Sequence, residues 1–176
     1  MSNNFTRRKF IKTAGAAAMI AGASGFIPPI ITSCSGKRRK GKIGVALVGL
    51  GNYSTNLLAP ALMQTELCEL TGIVTGSPEK VPKWQKQYGI KDKNVYNYEN
   101  MYQVADNPDI DVIYVVLPNS MHCDFSILAA NCGKHVWCEK PMATTEQACQ
   151  DIIDACERNK VKLSIGYRMQ HEPNTQ

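Results

Sequence analysis

The stretch IGVALVGLGNYS, residues 43–54, decides the fold. Its first six residues are small or apolar and predict a strand, and two glycines follow directly. Gly49 permits a tight turn, and Gly51 lets the backbone approach a pyrophosphate at the start of the next helix. Ser54 stands where this pattern usually has Gly or Ala, so we expect it to separate helix and strand slightly. The alternative is a glycine-rich turn without a ligand. The residues of this turn expected to bind a dinucleotide are Gly49, Gly51, Asn52 and Tyr53.

Short apolar runs alternate with amphipathic stretches over residues 43–168. Strands are predicted over Ile43–Val48, Leu70–Thr75, Asn94–Tyr96, Asp111–Leu117, His135–Cys138 and Lys162–Gly166. Helices are predicted over Tyr53–Gln64, Glu79–Tyr88, Tyr98–Ala105, Met121–Asn131 and Thr145–Arg158. Pro60 should kink the first helix or delay its regular part. The alternation predicts an α/β domain with a doubly wound parallel sheet of the Rossmann type.

Two helix starts carry capping signals. Ser77 is the predicted N-cap of the second helix, with Pro78 at its first position. Either Thr144 or Thr145 caps the last helix, and Gln147 is a candidate capping-box partner.

The end of the second strand indicates which dinucleotide is bound. NAD-preferring domains place an acid here to accept from the ribose 2′-OH, whereas residues 75–77 contain none. Hydroxyls of Thr75 and Ser77, together with Lys80, could bind the additional phosphate of NADP. The alternative for Lys80 is a solvated helix position. The sequence therefore favours NADP and leaves NAD possible.

Two further motifs follow strands, where open α/β sheets place ligands. The first is LPNSMH at 117–122, in which Leu117 and Asn119 are expected to face the cofactor. His122 in this motif is either an ordinary residue at a helix start or a site residue. The second is WCEKP at 137–141, whose Glu-Lys pair is either a surface loop or the edge of an active site.

The first 42 residues are expected to lie outside the fold. Residues 6–12, TRRKFIK, resemble the twin-arginine export motif, and a weakly hydrophobic stretch follows up to residue 31. We therefore expect a signal segment over 1–34, the twin-arginine export machinery as a partner, and a periplasmic protein. A permanent N-terminal anchor is the alternative. Residues 31–34 resemble a lipobox, which leaves open a lipid anchor at Cys34, and residues 35–42 form a basic linker.

The charge distribution argues against nucleic-acid binding. The net charge is +5, but residues 1–42 carry nine basic and no acidic side chains, so the remainder carries −4. A nucleic-acid-binding domain would need a basic face of its own.

The cysteines form no CxxC pair and have no histidine at zinc-ligand spacing, so we expect no metal. The six that follow Cys34 are expected to be buried thiols.

Four motifs together resemble one family. VGLG at 48–51, LPNSxH at 117–122, GKHVxCEKPMA at 133–143 and IGYR at 165–168 are similar to the cofactor domain of the Gfo/Idh/MocA oxidoreductases, the glucose–fructose oxidoreductase family. The resemblance implies an NADP-dependent oxidoreductase acting on sugars. It also assigns residues: Thr75, Lys80 and Tyr98 at the adenosine phosphate, Glu139 at the nicotinamide ribose, Arg168 near the cofactor, and Lys140 as the catalytic residue assisting hydride transfer.

The family also has a second domain, which supplies the acid/base residue and most of the sugar pocket. We expect residues 169–176 to be its start, with the rest of that domain absent here. On that expectation the chain alone binds nucleotide and turns over little sugar, and the full-length protein is a homo-oligomer. The alternatives are a non-catalytic NAD(P)-binding module, a dehydrogenase of the family that uses NAD, and a glycosidase relative that uses the dinucleotide in a redox elimination.

Overall fold

The structure is a computed structural model and describes residues 41–173. The predicted export signal over 1–34, the lipobox at Cys34 and most of the basic linker lie outside the described residues. Within the described part, no helix is both long and apolar enough to cross a membrane.

Six parallel strands form one sheet. The strands are β1 (Ile43–Val48), β2 (Cys68–Val74), β3 (Val95–Tyr96), β4 (Val112–Val115), β5 (His135–Cys138) and β6 (Leu163–Ile165). Their order in the sheet is β3-β2-β1-β4-β5-β6, and all five pairings are parallel. This order is that of the dinucleotide-binding Rossmann fold, so the predicted fold class is confirmed.

Both faces of the sheet are covered. Val45 and Leu47 of β1 point into one core, and Ala46 and Val48 point into the other, because successive side chains of a strand face opposite ways. All four are 0% exposed. Burial on both faces explains why β1 reads as a continuous apolar run.

Four α-helices cover these faces: α1 (Ala59–Gln64), α2 (Val81–Tyr88), α3 (His122–Asn131) and α4 (Glu146–Arg158). Leu62 of α1 and Trp84 of α2 belong to one core, and Ala129 of α3 and Ile152 of α4 belong to the other. The helices thus lie on opposite sides of the sheet, as a doubly wound fold requires.

The helix starts are less regular than predicted. The first predicted helix is interrupted near its start by a π-helical turn, Ser54–Leu58, and its longer α-helical part begins at Ala59, next to Pro60. Short 3-10 turns, Pro78–Lys80 and Asn119–Met121, precede α2 and α3. The helix predicted over Tyr98–Ala105 is instead a 3-10 helix, Met101–Asp106.

Two capping predictions are wrong. Ser77 makes no side-chain cap; only its carbonyl accepts a hydrogen bond, from the N–H of Lys80. Thr145 does cap α4, since its Oγ1 accepts from the N–H of Ala148 at 3.1 Å. Gln147 forms no capping box, because its amide donates to Asp151 one turn further on.

The cysteines correct a further prediction. All six in the described residues are free thiols, but only Cys138 and Cys156 are buried. The other four are half-buried: one begins β2, two lie in the first turns of α3 and α4, and one directly follows α3. They are Cys68, Cys123, Cys132 and Cys149.

Candidate functional site

A cleft opens at the carboxyl ends of the strands, where chain connections leave β1 and β4 in opposite directions. Open α/β sheets bind ligands at this switch point. The cleft, which we call the switch-point cleft, has a volume of about 680 Å³. Its walls are formed by Gly51, Asn52, Tyr53, Leu57, Val116, Leu117, His122, Glu139, Lys140, Gly166, Tyr167, Arg168 and Met169.

The glycine turn has the geometry expected of a phosphate loop. Gly49 has a φ of +94°, and a Cβ on it would lie 2.3 Å from the carbonyl oxygen of Val116. Gly51 is different, since a Cβ there would meet nothing within 4 Å. Gly49 is therefore required by the fold itself, whereas Gly51 keeps its side of the cleft open for a ligand.

Ser54 links the start of the helix to the glycine turn. Its side chain is fully buried, and its hydroxyl donates to the carbonyl of Gly49 at 2.6 Å. Ser54 therefore fastens the helix start to the turn, and the predicted slight separation of helix and strand stays a prediction.

The end of β2 brings together the residues expected at the adenosine phosphate. Thr75 is buried, and its Oγ1 accepts from the N–H of Ser77 at 3.0 Å. The ring of Tyr98 lies against Gly76, because a Cβ at 76 would come within 2.8 Å of it. Lys80 is exposed and extends toward the glycine turn, where its Nζ donates to the carbonyl of Leu50 at 3.0 Å.

Glu139 is the buried acid of the cleft, with 8% of its surface exposed. Its Oε1 accepts from the hydroxyl of Tyr114, a residue of β4. Burial, and then this bond to Glu139, raise the pKa of Tyr114 far above its ordinary value, so the hydroxyl stays protonated and donates. Burial and the charge of Glu139 also raise the pKa of Tyr53, while Arg168 lowers it.

Lys140 lines the cleft and is exposed, next to the buried Glu139. It precedes Pro141 through a cis peptide bond. A cation at the mouth of a partly apolar cleft can stabilise negative charge that develops on an oxygen.

His122 joins the two loops of the site. It is 1% exposed, and its Nδ1 and Nε2 lie 2.7 Å and 2.8 Å from the carbonyl oxygens of Pro141 and Leu117. Each ring nitrogen therefore lies against a backbone carbonyl, and a nitrogen that carries a proton donates to it. His122 supports the loops and offers no nitrogen to a ligand, although its ring forms part of the wall.

The structure divides the predicted site residues into two places. The switch-point cleft contains Gly51, Asn52, Tyr53, Leu117, His122, Glu139, Lys140 and Arg168. Outside its lining are Gly49, within the turn, Asn119, which is exposed at the start of a 3-10 turn, and the group Thr75, Lys80 and Tyr98 at the end of β2.

The sequence gives no signal for several residues in or next to the cleft. Tyr114 is outside the lining and acts on the cleft only through its bond to Glu139. It stands inside an apolar run, where the pattern predicts a strand and nothing more. Tyr167 and Met169 are exposed large apolar residues in the cleft, and so is Leu57. Among the described residues, no three His, Cys, Asp or Glu side chains are grouped so that they could hold a metal ion.

The fold and the cleft define a class of protein, and comparison with known sequences identifies it. The chain belongs to the Gfo/Idh/MocA oxidoreductase family with an NAD-binding Rossmann fold, whose sequence profile matches residues 43–167.

Several proteins of known activity are similar to this chain. The chain is 30% identical to D-xylose 1-dehydrogenase [NADP(+)] of Haloarcula marismortui, over 73% of this chain and 35% of that protein. It is 26% identical to scyllo-inositol 2-dehydrogenase (NADP(+)) of Bacillus subtilis, over 75% of this chain and 39% of that one. Aldose-aldose oxidoreductase from Caulobacter crescentus, solved with glycerol, superimposes with a TM-score of 0.74 at 44% identity, covering 76% and 40% of the two chains. The chain thus spans two fifths or less of the length of each of these relatives.

Proposed function

We propose that this chain binds NADP along the switch-point cleft and forms the cofactor-binding part of an oxidoreductase that acts on sugars, with hydride transfer like that of glucose–fructose oxidoreductase. The carrying observation is the glycine turn at the end of β1, which faces an acid-free end of β2 on one side and Glu139 with Lys140 on the other. The named relatives include NADP-dependent sugar and polyol dehydrogenases, which supports the same substrate class.

The preference for NADP rests on charge at the end of β2. A carboxylate at residues 75–77 would repel a 2′-phosphate, and none is present. Lys80 is exposed and already points at the glycine turn, so its ammonium can move to a phosphate oxygen. Charge-assisted bonds of this kind are roughly twice as strong as neutral ones.

Calorimetric titration with NADP and NAD tests this preference. We expect NADP to bind more tightly than NAD. Lys80→Ala should lower the affinity for NADP by about tenfold and leave the affinity for NAD little changed. Lys83→Ala, an exposed lysine on α2, is the matched control and should change neither affinity. Tighter binding of NAD than NADP by the unmodified chain would contradict the assignment.

The residues at the cleft have separate tasks in the proposed reaction. A bound nicotinamide supplies the hydride chemistry. Glu139 would accept a hydrogen bond from a ribose hydroxyl; the support is that the residue lines the cleft and that Tyr114 holds one of its carboxylate oxygens. Lys140 would hold its charge close to the reacting sugar oxygen and so polarise it.

Replacement of Lys140 tests the catalytic assignment. In the natural protein that carries this sequence, Lys140→Ala should lower sugar-dependent NADPH formation by at least a hundredfold, as the loss of one electrostatic donor does. NADP affinity should change by less than threefold, roughly within the range of a lost exposed contact. Unchanged turnover would remove Lys140 from the mechanism and favour a non-catalytic nucleotide-binding module.

We also propose that the protein leaves the cytoplasm by the twin-arginine route and resides in the periplasm. The support is the TRRKFIK motif at 6–12 followed by an uncharged stretch. Lysine substitution of both Arg7 and Arg8 should retain the protein in the cytoplasm, as measured by fractionation. Labelling with a fatty-acid probe, compared with Cys34→Ser, tests for a lipid anchor. Export that is insensitive to the arginine substitutions would contradict the proposed route.

A further inference from the structure

Tyr114 occupies an unusual position for a tyrosine of a central strand. It lies on β4 beside Trp137 of β5, and the two rings pack edge to face with centroids 5.6 Å apart. Its hydroxyl extends past the strand end to Glu139, where it donates to Oε1 at 2.5 Å. A neutral hydroxyl on a strand of the sheet thus donates directly to the buried carboxylate of the cleft.

Glu139 is also confined from the side of β6. A Cβ at position 166 would lie 2.8 Å from Oε1 and 3.2 Å from Oε2 of Glu139, so the glycine there makes room for the carboxylate. The backbone on both sides is fixed, because the N–H of Glu139 donates to Val115 and the N–H of Gly166 donates to Cys138. The carboxylate is thus held by a hydroxyl and bounded by a glycine, while the residue lines the cleft.

We propose that Tyr114 is a positioning residue, which holds one oxygen of Glu139 so that the carboxylate faces the cleft as an acceptor for a ligand hydroxyl. This inference rests on the proposed function, in which that hydroxyl belongs to the nicotinamide ribose. Tyr114 touches no reacting atom and acts only through Glu139. Gly166 serves the same carboxylate, since any larger residue would push it out of place.

A double-mutant cycle on NADP affinity tests the inference, with binding measured by calorimetry. Hydrogen bonds to a charged group are among the stronger ones, so the loss of this bond should free the Glu139 carboxylate to move. Tyr114→Phe should therefore lower the affinity for NADP by about tenfold. In the Glu139→Ala background the same substitution should change the affinity by less than about twofold, because it has no carboxylate left to position. Gly166→Ala keeps the tyrosine and displaces the carboxylate, so it should show the same pattern if Tyr114→Phe folds poorly.

The matched control is Tyr96→Phe, which removes a different buried hydroxyl bond, that between Tyr96 and Asn107 at 2.7 Å. It should lower stability in urea and leave NADP affinity unchanged. An equal loss from Tyr114→Phe in both backgrounds, or no loss in either, would overturn the positioning role while leaving the proposed function standing. Absence of NADP and NAD binding by the unmodified chain would overturn both.

Discussion

Gly49→Ala should destabilise the domain strongly, although it adds a single methyl group. At a φ of +94° a side chain is strained by about 1–2 kcal/mol. The new Cβ would also lie 2.3 Å from the carbonyl oxygen of Val116. The backbone must shift to relieve this contact, and by analogy with an overpacked core the shift costs about 1–3 kcal/mol of stability. The two effects together give a loss of about 2–5 kcal/mol.

Urea unfolding followed by circular dichroism measures this loss as a lower midpoint at an unchanged slope. Gly51→Ala is the matched control, because its Cβ would meet nothing within 4 Å. We expect its stability to stay within about 0.5 kcal/mol of the original. Its NADP affinity should fall by at least about tenfold, since the methyl group occupies the side where a pyrophosphate approaches the backbone.

The two variants separate a requirement of the fold from a requirement of the ligand. Full stability of Gly49→Ala would refute the close approach of this turn to β4. Unchanged NADP binding by Gly51→Ala would refute the placement of the phosphates at the turn.

Three further predictions concern other parts of the domain. His122→Ala should lower the unfolding free energy by about 1–3 kcal/mol in urea, because the variant loses a buried ring and its hydrogen bond to a loop carbonyl; a stable variant would show that the loops hold without it. Thr145→Ala should cost about 1 kcal/mol and Thr144→Ala almost nothing, since only Thr145 caps α4; equal losses would argue against that cap. Burial raises the pKa of the Cys138 thiol from 9.0 to about 11. The unfolded chain therefore releases this proton first, and the unfolding free energy should fall as pH rises from 9 to 11. Cys138→Ala should make that fall shallower, and an identical pH profile would contradict the assignment.

The order and type of the main elements could be predicted because their signals are local. The apolar run at 43–48 and the paired glycines identify β1 and its turn without any knowledge of neighbours. Helix starts were less predictable. Ser77 has a good capping side chain, yet the chain enters α2 through a 3-10 turn and never uses it. Whether a cap forms depends on the entry angle of the backbone, which packing against the sheet sets.

Residues of the cleft could be predicted where a sequence motif marks them. A residue that acts only by contacting another side chain could not. Glu139 and Lys140 follow a strand and attract notice as charges at its end. Tyr114 carries no such signal, because within an apolar strand its hydroxyl looks incidental. His122 is the reverse. The sequence motif draws attention to it as a site residue, but both of its ring nitrogens lie against backbone carbonyls.

By itself the sequence determined the alternation of strands and helices, the glycine turn and the absence of an acid at the end of β2. These properties belong to residues close together in the chain, so local pattern expresses them. Only the tertiary structure decided that Tyr114 meets Glu139 across 25 residues, that Gly166 makes room for the same carboxylate, and that Ser54 fastens the turn. Such contacts depend on which strands pair and on how closely their ends approach, and those distances exist only once the sheet has formed.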